Sequence, residues 1–314
     1  ERILADYPFA NGYADISGCV NAIASTLRSR MRESAVRHVH SIDLIKSAFF
    51  RERRAYLIGR ISTAAGDLPL VIALVSTADG VRADALITEV DQVSLIFSYT
   101  RSYFHVDLPT VSDVVVFLRA LLPHKPIEEL FTVLGRAKQG KTERYRHLFR
   151  HLARHPDERL VRADGERGMV MAVFTPKSWP LVFKVIRDQF AYPKDIARRQ
   201  VEEKYLLVFR YDRIGRLVDA QEFRHLRFPR RQFDADMLAE LLSQCAETVS
   251  LEGDEVLVRH CYVERRLRPM NLSVREAPPE AARLAMRDYG QAIKDLARSN
   301  IFPGDLLLKN FGIT

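Results

Sequence analysis

The sequence contains few of the residues that build disulfide frameworks, metal centres or membrane spans. Its three cysteines, Cys19, Cys245 and Cys261, lie far apart, form no CxxC pair and have no histidine at metal-ligand spacing. We therefore expect reduced thiols without a catalytic role, as in a cytosolic protein. No apolar run approaches the roughly 18 residues that a membrane-spanning helix needs, and the run at 68–75 has the length of a core strand.

The first residues lack two features of a complete or exported protein. Glu1 to Asp6 include neither an initiator methionine nor the apolar stretch of a signal peptide. This start predicts that the chain is an internal fragment of a longer protein.

The composition is that of an ordinary globular protein. The chain has 314 residues, 47% of them hydrophobic and 28% charged, which leaves room for about two domains. A formal net charge of +8 favours an anionic partner, such as nucleotide phosphates, nucleic acid or an acidic protein surface. Much of this charge lies in Arg-rich helical segments such as 144–151, and no pattern typical of nucleic-acid binding accompanies it.

Residues 1–158 are predicted to form a mainly helical domain with a small sheet. The stretch up to about Phe50 has mostly helical spacing, strands are predicted at 55–61 and 70–75, and segments 85–88 and 93–99 could extend that sheet. Helices dominate from 111 to 155, and no convergent set of catalytic residue types occurs in this half. The pattern changes at 155–158, where we place a domain boundary.

Residues 159–314 show an order of elements typical of a protein-kinase-like domain. A strand, a Gly-bearing turn, a second strand, a Lys-bearing strand at 181–186 and a helix at about 194–207 come first. Later strands and a helix at 279–298 precede an Asp-x4-Asn loop. The predicted fold class is therefore α+β, a kinase-like bilobal catalytic domain truncated in its C-lobe and preceded by part of the mainly helical domain.

The loop near the end of the chain supplies the first candidate catalytic pair, Asp305 and Asn310. In kinase-like enzymes such an Asp accepts the proton of the acceptor hydroxyl, and the Asn five positions later ligates a magnesium ion. Because an Asp-x4-Asn match is weak by itself, a surface loop with two polar residues is the alternative.

The Gly-bearing turn and the strand after it supply candidate nucleotide contacts. Missing side chains let backbone amides approach phosphate oxygens, although an ordinary tight hairpin is equally consistent with two glycines. The candidate residues of the turn are Ala163, Asp164, Gly165, Glu166, Arg167, Gly168 and Met169. Lys184, 16 residues after Gly168, could reach the phosphates and pair with Glu202 or Glu203, or it could extend to water while those carboxylates stay solvated.

Two further segments are candidates by their position in this order. The residues alone leave Asp219 either facing a cleft or at the edge of a strand. The strand that reaches Tyr262, Val263 and Glu264 is where an interlobe hinge would pair its backbone with adenine, and an edge strand ending in a basic turn is the alternative.

With these residues assembled, the chain resembles the bacterial isocitrate dehydrogenase kinase/phosphatase family over nearly its whole length. The matching segments are 97–104, 168–171, 182–186, 212–216, 262–266 and 300–305. The resemblance implies a bifunctional enzyme that uses ATP or ADP and Mg²⁺ to phosphorylate and dephosphorylate a serine of NADP-dependent isocitrate dehydrogenase. Such an enzyme sets flux between the tricarboxylic acid cycle and the glyoxylate bypass.

The resemblance also implies roles for particular residues. The ATP-binding loop falls on 163–169, the ATP-binding lysine on Lys184, the active-site aspartate on Asp219, and the catalytic-loop pair on Asp305 and Asn310. It further implies AMP as an allosteric effector, without contacts that can be placed on this chain, and a segment beyond Thr314 that holds a metal-binding aspartate. The chain alone is therefore expected to be inactive.

The partner expected from the resemblance is isocitrate dehydrogenase, with no nucleic acid and no membrane; a homodimer remains open. The alternative is a non-catalytic basic module that binds an acidic protein or nucleic acid, which a net charge of +8 would also support.

Overall fold

The structure is a computed structural model that describes residues 1–33, 38–51, 53–98, 103–190, 197–211 and 216–313, and only the backbone of 209–211. It divides into two compact units, an N-terminal unit, Glu1–Arg144, and a C-terminal unit, Tyr145–Thr314. The division falls within a helix, α6, so that this helix belongs to both units.

The N-terminal unit places a sheet among helices. Its elements in chain order are α1 (Arg2–Ala5), α2 (Ile16–Glu33), β1 (Val39–Leu44), β2 (Phe49–Arg51), β3 (Arg54–Thr63), β4 (Gly66–Thr77), β5 (Gly80–Ile87), α3 (Val90–Ile96), α4 (Val111–Leu121), α5 (Ile127–Val133) and the first part of α6 (Ala137–Arg154). The antiparallel sheet has the order β1-β3-β4-β5, with β2 paired to β3.

Both faces of this sheet are buried, because apolar residues occupy successive positions of β3 and β4. Leu57 and Ile72 belong to the core that includes α2, whereas Ile58 and Val71 belong to the core that includes α4 and α5. Successive side chains of a strand point to opposite faces, so an unbroken apolar run fills both cores.

The N-terminal unit differs from the sequence-based expectation in two places. Residues 39–51 were expected to continue a helical stretch, but they contain β1 and β2. Ile42 and Leu44 alternate with polar residues, which suits an edge strand. Residues 93–99 were expected to extend the sheet, but α3 occupies 90–96, because Val90, Val93 and Phe97 also fit one face of a helix.

The C-terminal unit is built around a second antiparallel sheet. After the end of α6 it contains β6 (Leu160–Arg162), β7 (Met171–Pro176), β8 (Leu181–Ile186), α7 (Arg198–Tyr211), β9 (Gln221–Pro229), α8 (Ala235–Gln244), β10 (Val249–Glu252), β11 (Glu255–Arg265), β12 (Arg268–Pro269), α9 (Met270–Glu276), α10 (Pro279–Arg298) and β13 (Gly312–Ile313). The sheet has the order β10-β11-β8-β7-β6, and β9 pairs with the other edge of β11.

The two faces of the second sheet have different surroundings. One face packs against α8 and the end of α6, and its core is centred on Phe174, Phe183 and Phe228. The rings of Phe174 and Phe183 stack with centroids 4.8 Å apart. On the other face, Tyr262 packs against Val201 of α7, which leaves the rest of that face for a cavity.

The elements expected in the second half are largely present. The predicted strand, Gly turn and strand correspond to β6 and β7, the Lys-bearing strand is β8, and α10 has the predicted bounds, 279–298. The mixed α and β content is thereby confirmed. In the part of the chain that the structure describes, no helix is both long and apolar enough to cross a membrane.

Candidate active site

A cavity of about 1030 Å³ lies within the C-terminal unit. Its walls are the Gly turn (residues 163–170), β8, the segment after β11 and the Asp305 loop (residues 300–311). The sequence-predicted residues that line it are Ala163, Asp164, Gly165, Glu166, Arg167, Gly168, Lys184, Glu264, Asp305 and Asn310. The fold therefore brings together residues as far apart in the sequence as Ala163 and Asn310.

The Gly turn needs its glycines for conformation and for space. Gly165 has a φ of +109°, which side chains strongly disfavour. A Cβ on Gly165 would lie 3.4 Å from Pro269 Cγ, and one on Gly168 would lie 3.1 Å from the backbone oxygen of Met171. The turn consequently presents backbone rather than side chains to part of the cavity.

Two ion pairs join the Gly turn to other walls of the cavity. Asp164 pairs with Arg268, which follows β11, at 3.3 Å. Glu166 pairs with Lys309 of the Asp305 loop at 2.8 Å, and this hydrogen bond raises the pKa of Lys309. Because these side chains are largely exposed, the pairs orient the turn more than they stabilise the fold.

Lys184 pairs with Glu264 across the sheet, with Nζ and Oε2 2.6 Å apart. The strand register places Lys184 opposite Tyr262, so Glu264 lies diagonally across on the same face of the sheet. Both charged side chains are mostly buried, with 29% and 12% of the Lys184 and Glu264 side chains exposed. A partly buried lysine is thus held by a carboxylate at the cavity wall.

An aromatic pair, with one ring from α7 and one from β11, lies beside Glu264. The rings of Tyr205 and Tyr262 stack with centroids 3.8 Å apart and planes 5° apart. Tyr205 donates a hydrogen bond to Glu264; burial and this carboxylate together raise the pKa of Tyr205. Burial also raises the pKa of Tyr262 to about 12, so both phenols stay neutral at physiological pH.

The structure does not use Glu202 or Glu203 as the partner of Lys184. Glu203 pairs with Arg199 on the exposed side of α7 at 2.8 Å, and Glu202 is half-buried. The carboxylate of the neighbouring strand takes the place expected for a helix carboxylate. Strand register decided this pairing, and register cannot be read from the spacing of Lys184 and the helix.

The Asp305 loop contributes its polar side chains from an exposed segment. Asp305 Oδ1 accepts a hydrogen bond from the backbone N–H of Leu307 at 2.9 Å, which fixes the carboxylate over the start of the loop. Asn310 ends a single 3₁₀ turn, 308–310, and also lines the cavity. The two side chains expected to act as a pair therefore lie on one wall.

Four of the residues proposed from sequence do not line the cavity. Tyr262 and Val263 are buried in the middle of the sheet, with β8 on one side and β9 on the other. Asp219 is buried and accepts a hydrogen bond from Gln221 Nε2 at 3.1 Å, while Met169 is exposed and is not among the lining residues. Along β11 and the segment that follows it, the residues that line the cavity begin at Glu264. Residues 212–215 of the resemblance, like 99–102, lie outside the described residues.

A buried carboxylate on the cavity wall was missed by sequence reasoning. Glu240 of α8 is 5% exposed and contacts Arg162, Arg167 and Arg187. A signal was present, because Glu240 lies on the apolar stripe of α8 between Met237 and Leu241. A charged residue at such a position predicts buried partners.

The cavity is strongly basic. Among its described lining residues, eleven are Lys or Arg and five are Asp or Glu. Such an excess suits a polyanion with several phosphate groups. The described residues contain no cluster of His, Cys, Asp or Glu able to hold a metal ion by itself, so a magnesium ion here would need oxygen ligands from a bound phosphate as well as from the protein.

Comparison with known families covers both halves of the chain. Residues 1–157 match the regulatory domain of isocitrate dehydrogenase kinase/phosphatase (AceK), and residues 158–314 match the AceK kinase domain. The chain belongs to the isocitrate dehydrogenase kinase/phosphatase family. The family resemblance recognised in the sequence is therefore confirmed.

Individual relatives extend this result. Proteins named isocitrate dehydrogenase kinase/phosphatase from Xanthomonas campestris pv. campestris (strain 8004) and Xanthomonas axonopodis pv. citri (strain 306) are each 58% identical over 313 residues. One from Anaeromyxobacter sp. (strain Fw109-5) is 46% identical over 313 residues. These alignments cover 99–100% of this chain and 54% of each relative, so the chain spans about half the length of the curated relatives it matches.

Proposed function

We propose that this chain supplies the nucleotide-binding part and the catalytic loop of a bifunctional protein serine kinase and phosphatase. Its substrate would be NADP-dependent isocitrate dehydrogenase, and its action would set flux between the tricarboxylic acid cycle and the glyoxylate bypass in the cytoplasm. One observation carries the proposal: the Gly turn, the Lys184–Glu264 pair and the Asp305 loop line a single basic cavity.

The strand order supports a kinase-like small lobe and, with the later helices, a bilobal domain from about residue 159. The Gly turn joins neighbouring strands β6 and β7, and the lysine strand β8 lies between β7 and β11. The chain leaving β11 passes along the cavity before it reaches α10 and the Asp305 loop. This sequence of parts is the one a protein kinase uses for its phosphate loop, its β3 lysine and its catalytic loop.

The volume of the cavity and the chemistry of its lining support ATP or ADP as the ligand. The side chains of Val173, Val182 and Leu267 offer an apolar surface for a base, and the backbone of 265–268 would replace 262–263 as the hinge. Lys184 and the Gly turn would hold the phosphates. Because Glu264 already neutralises and orients Lys184, the ammonium group is prepared for a nearby phosphate without being buried unpaired.

The catalytic assignments follow the same geometry. Asp305 would accept the proton of the serine hydroxyl, and the amide oxygen of Asn310 would help to hold Mg²⁺, which shields the phosphate charges when bound. Asp219, buried between two lining residues, Val218 and Ala220, would act in the active site as the resemblance implies. AMP as an effector and a homodimer belong to the same proposal.

Nucleotide binding tests this function directly. We expect the 1–314 chain to bind MgATP saturably in calorimetric titration, and Lys184→Met to weaken that binding. Lys294→Met is the matched control, since Lys294 is an exposed lysine of α10 outside the cavity lining. In the complete protein, incorporation of phosphate from ATP into isocitrate dehydrogenase is the corresponding activity.

Two results would contradict the proposal. One is the absence of saturable ATP binding. The other is polynucleotide binding that falls steeply with salt without any ATP binding, which would instead favour the basic, non-catalytic module.

A further inference from the structure

Glu240 connects α8 to the Gly turn. It lies on α8, which follows β9 and precedes β10 in the chain, and its side chain is 4% exposed. Asp234 caps the helix by accepting hydrogen bonds from two backbone N–H groups of the first turn, while Met237 and Leu241 anchor it in the main core. The carboxylate therefore has a fixed position at the cavity wall.

Three arginines from separate parts of the cavity wall converge on this carboxylate. Arg162 at the end of β6 donates from Nε to Oε2 at 3.0 Å. Arg167 of the Gly turn donates from Nε to Oε1 at 3.1 Å, and Arg187 after β8 donates from Nη2 to Oε1 at 2.7 Å. Charge-assisted hydrogen bonds of this kind are stronger and more directional than neutral ones.

Arg187 extends the network to the backbone of the Gly turn. Its Nε donates to the carbonyl oxygen of Gly168 at 3.2 Å, and its Nη1 donates to the side chain of Gln244, one turn further along α8. Since Arg187 is only 5% exposed, its guanidinium cannot turn to water instead. Glu240 thus holds one end of the turn through Arg187 and its middle through Arg167.

The charges around Glu240 do not cancel. One carboxylate faces three guanidinium groups, which leaves the wall with an excess of positive charge toward the cavity. Burial would raise the pKa of Glu240, but the hydrogen bonds from Arg187 and Arg162 outweigh it and lower the pKa. The carboxylate therefore stays ionised and keeps three mutually repelling cations in place.

We infer that Glu240 is a positioning residue for bound nucleotide, holding the Gly turn through Arg167 and Arg187 in the arrangement that receives the phosphates. The inference rests on the proposed function of the cavity. Without the carboxylate, Arg187 would lose the anion that orients it toward Gly168, and Arg167 would lose its anchor. The turn would then adopt several conformations, and nucleotide binding would have to order it, at a cost in affinity.

The test compares two buried carboxylates in MgADP titrations of the 1–314 chain. Glu240→Gln keeps the size of the side chain and removes its charge, and we expect the Kd for MgADP to rise about tenfold, the loss expected for one charge-assisted hydrogen bond. Glu158→Gln is the matched control. Glu158 has 3% side-chain exposure and also accepts several hydrogen bonds, but it does not line the cavity. The Kd of Glu158→Gln for MgADP should therefore equal the wild-type value.

A second readout separates positioning from general destabilisation. In the complete enzyme, Glu240→Gln should raise the KM for ATP about tenfold and change kcat less than about threefold, because the chemical step uses other residues. An equal loss in both carboxylate variants, or a fall in kcat alone, would overturn the inference. Failure of the wild-type chain to bind MgADP would overturn the proposed function as well, whereas equal binding by wild type and Glu240→Gln would overturn the inference alone.

If Glu240→Gln does not fold, Arg167→Gln replaces it. The Arg167 side chain is 53% exposed, so its loss should leave the fold intact. We expect faster amide hydrogen exchange at 166–169 and weaker MgADP binding in this variant. Exchange and binding at wild-type levels would contradict the inference.

Discussion

The two sheets of the molecule differ in what their buried positions carry. In the N-terminal unit, the buried residues of β3 and β4 are apolar or aromatic side chains, together with Gly59 and Pro69. In the C-terminal unit, the central strands carry Lys184 and Glu264 on the face opposite the phenylalanine core. Both faces of the first sheet pack against apolar cores, whereas one face of the second sheet carries a charged pair.

Moving charged side chains out of water costs free energy, and packing contacts do not offset that cost. A partly buried ion pair contributes little net stability compared with apolar residues of similar size, so Lys184 and Glu264 are better explained by chemistry than by folding. The comparison therefore separates positions where a substitution should lower stability from positions where it should lower activity.

Lys184→Met should produce the largest effect. Phosphate transfer by the complete protein should fall about 100- to 1000-fold, the loss typical of removing one electrostatic contact to a reacting group. Phe183→Leu is the paired control, because Phe183 is the preceding residue and faces the core. It should lower the thermal midpoint and leave the KM for ATP unchanged. A similar loss of activity in both variants would show that the two faces of β8 are not separate in function.

Glu158 tests buried charge outside the cavity. Burial would raise the pKa of this carboxyl, but hydrogen bonds from Ser178 and His151 outweigh it and lower the pKa to about 2 from an ordinary value of 4.5. Because the pKa of Glu158 is lower in the folded protein, its ionised carboxylate stabilises the fold at pH values above its pKa in the unfolded chain. That stability is lost as the pH falls through about 2. The contribution amounts to at most about 3 kcal/mol.

Chemical unfolding of wild type and Glu158→Gln between pH 7 and pH 2.5 measures this contribution. The difference in unfolding free energy should be constant above about pH 5 and shrink as the pH falls further. A difference that grows on acidification would mean that the pKa of Glu158 is raised rather than lowered. MgADP affinity at pH 7 should not change, which separates this charge from those of the cavity.

The parts of the site that depend on local sequence were predictable, and those that depend on register were not. The Gly turn, the strand of Lys184 and α10 each carry their signal within a few residues, in glycines, an apolar run or a helical period. The partner of Lys184 is Glu264 rather than Glu202, because the pairing of β8 with β11 decides which carboxylate is near. Local spacing contains no information on that pairing.

Two further differences have the same origin. Tyr262 and Val263 were candidates for a hinge, but β9 returns to cover the second edge of β11 as far as Val263, so the cavity is reached only from Glu264 onward. The partners of Glu240 could not be predicted from the sequence, because the three arginines come from β6, the Gly turn and the residue after β8. Long-range strand order, rather than composition, assembled that cluster.

Gly59→Ala should destabilise the sheet of the N-terminal unit and leave the sheet of the C-terminal unit unchanged. A Cβ on Gly59 would overlap the carbonyl oxygen of Asp43 and the side chain of Leu44 on the neighbouring strand β1. Strands held by backbone hydrogen bonds cannot easily move apart, so we expect a loss of about 1–3 kcal/mol in unfolding free energy. Gly66→Ala is an unsuitable control, because the φ of Gly66 is +124°. Ser62→Ala is suitable, since Ser62 lies in β3, the strand that contains Gly59.

The readout for Gly59→Ala is the unfolding midpoint together with MgADP affinity. A lower midpoint with unchanged affinity would support the separation of packing from charge. A loss of affinity in Gly59→Ala would show that the sheet of the N-terminal unit affects the nucleotide site.

The smallest effect is expected at the exposed pair of Lys309 and Glu166. Each variant of this pair should change the unfolding free energy by less than about 1 kcal/mol, because both side chains are solvated. Their effects on MgADP binding should nevertheless have opposite signs. Lys309→Gln leaves the Glu166 carboxylate free beside the phosphates and should weaken binding about two- to threefold, whereas Glu166→Gln frees the Lys309 ammonium group and should strengthen it. If both variants weakened binding equally, the contact itself, and not the charge left behind, would determine the affinity of the turn for nucleotide.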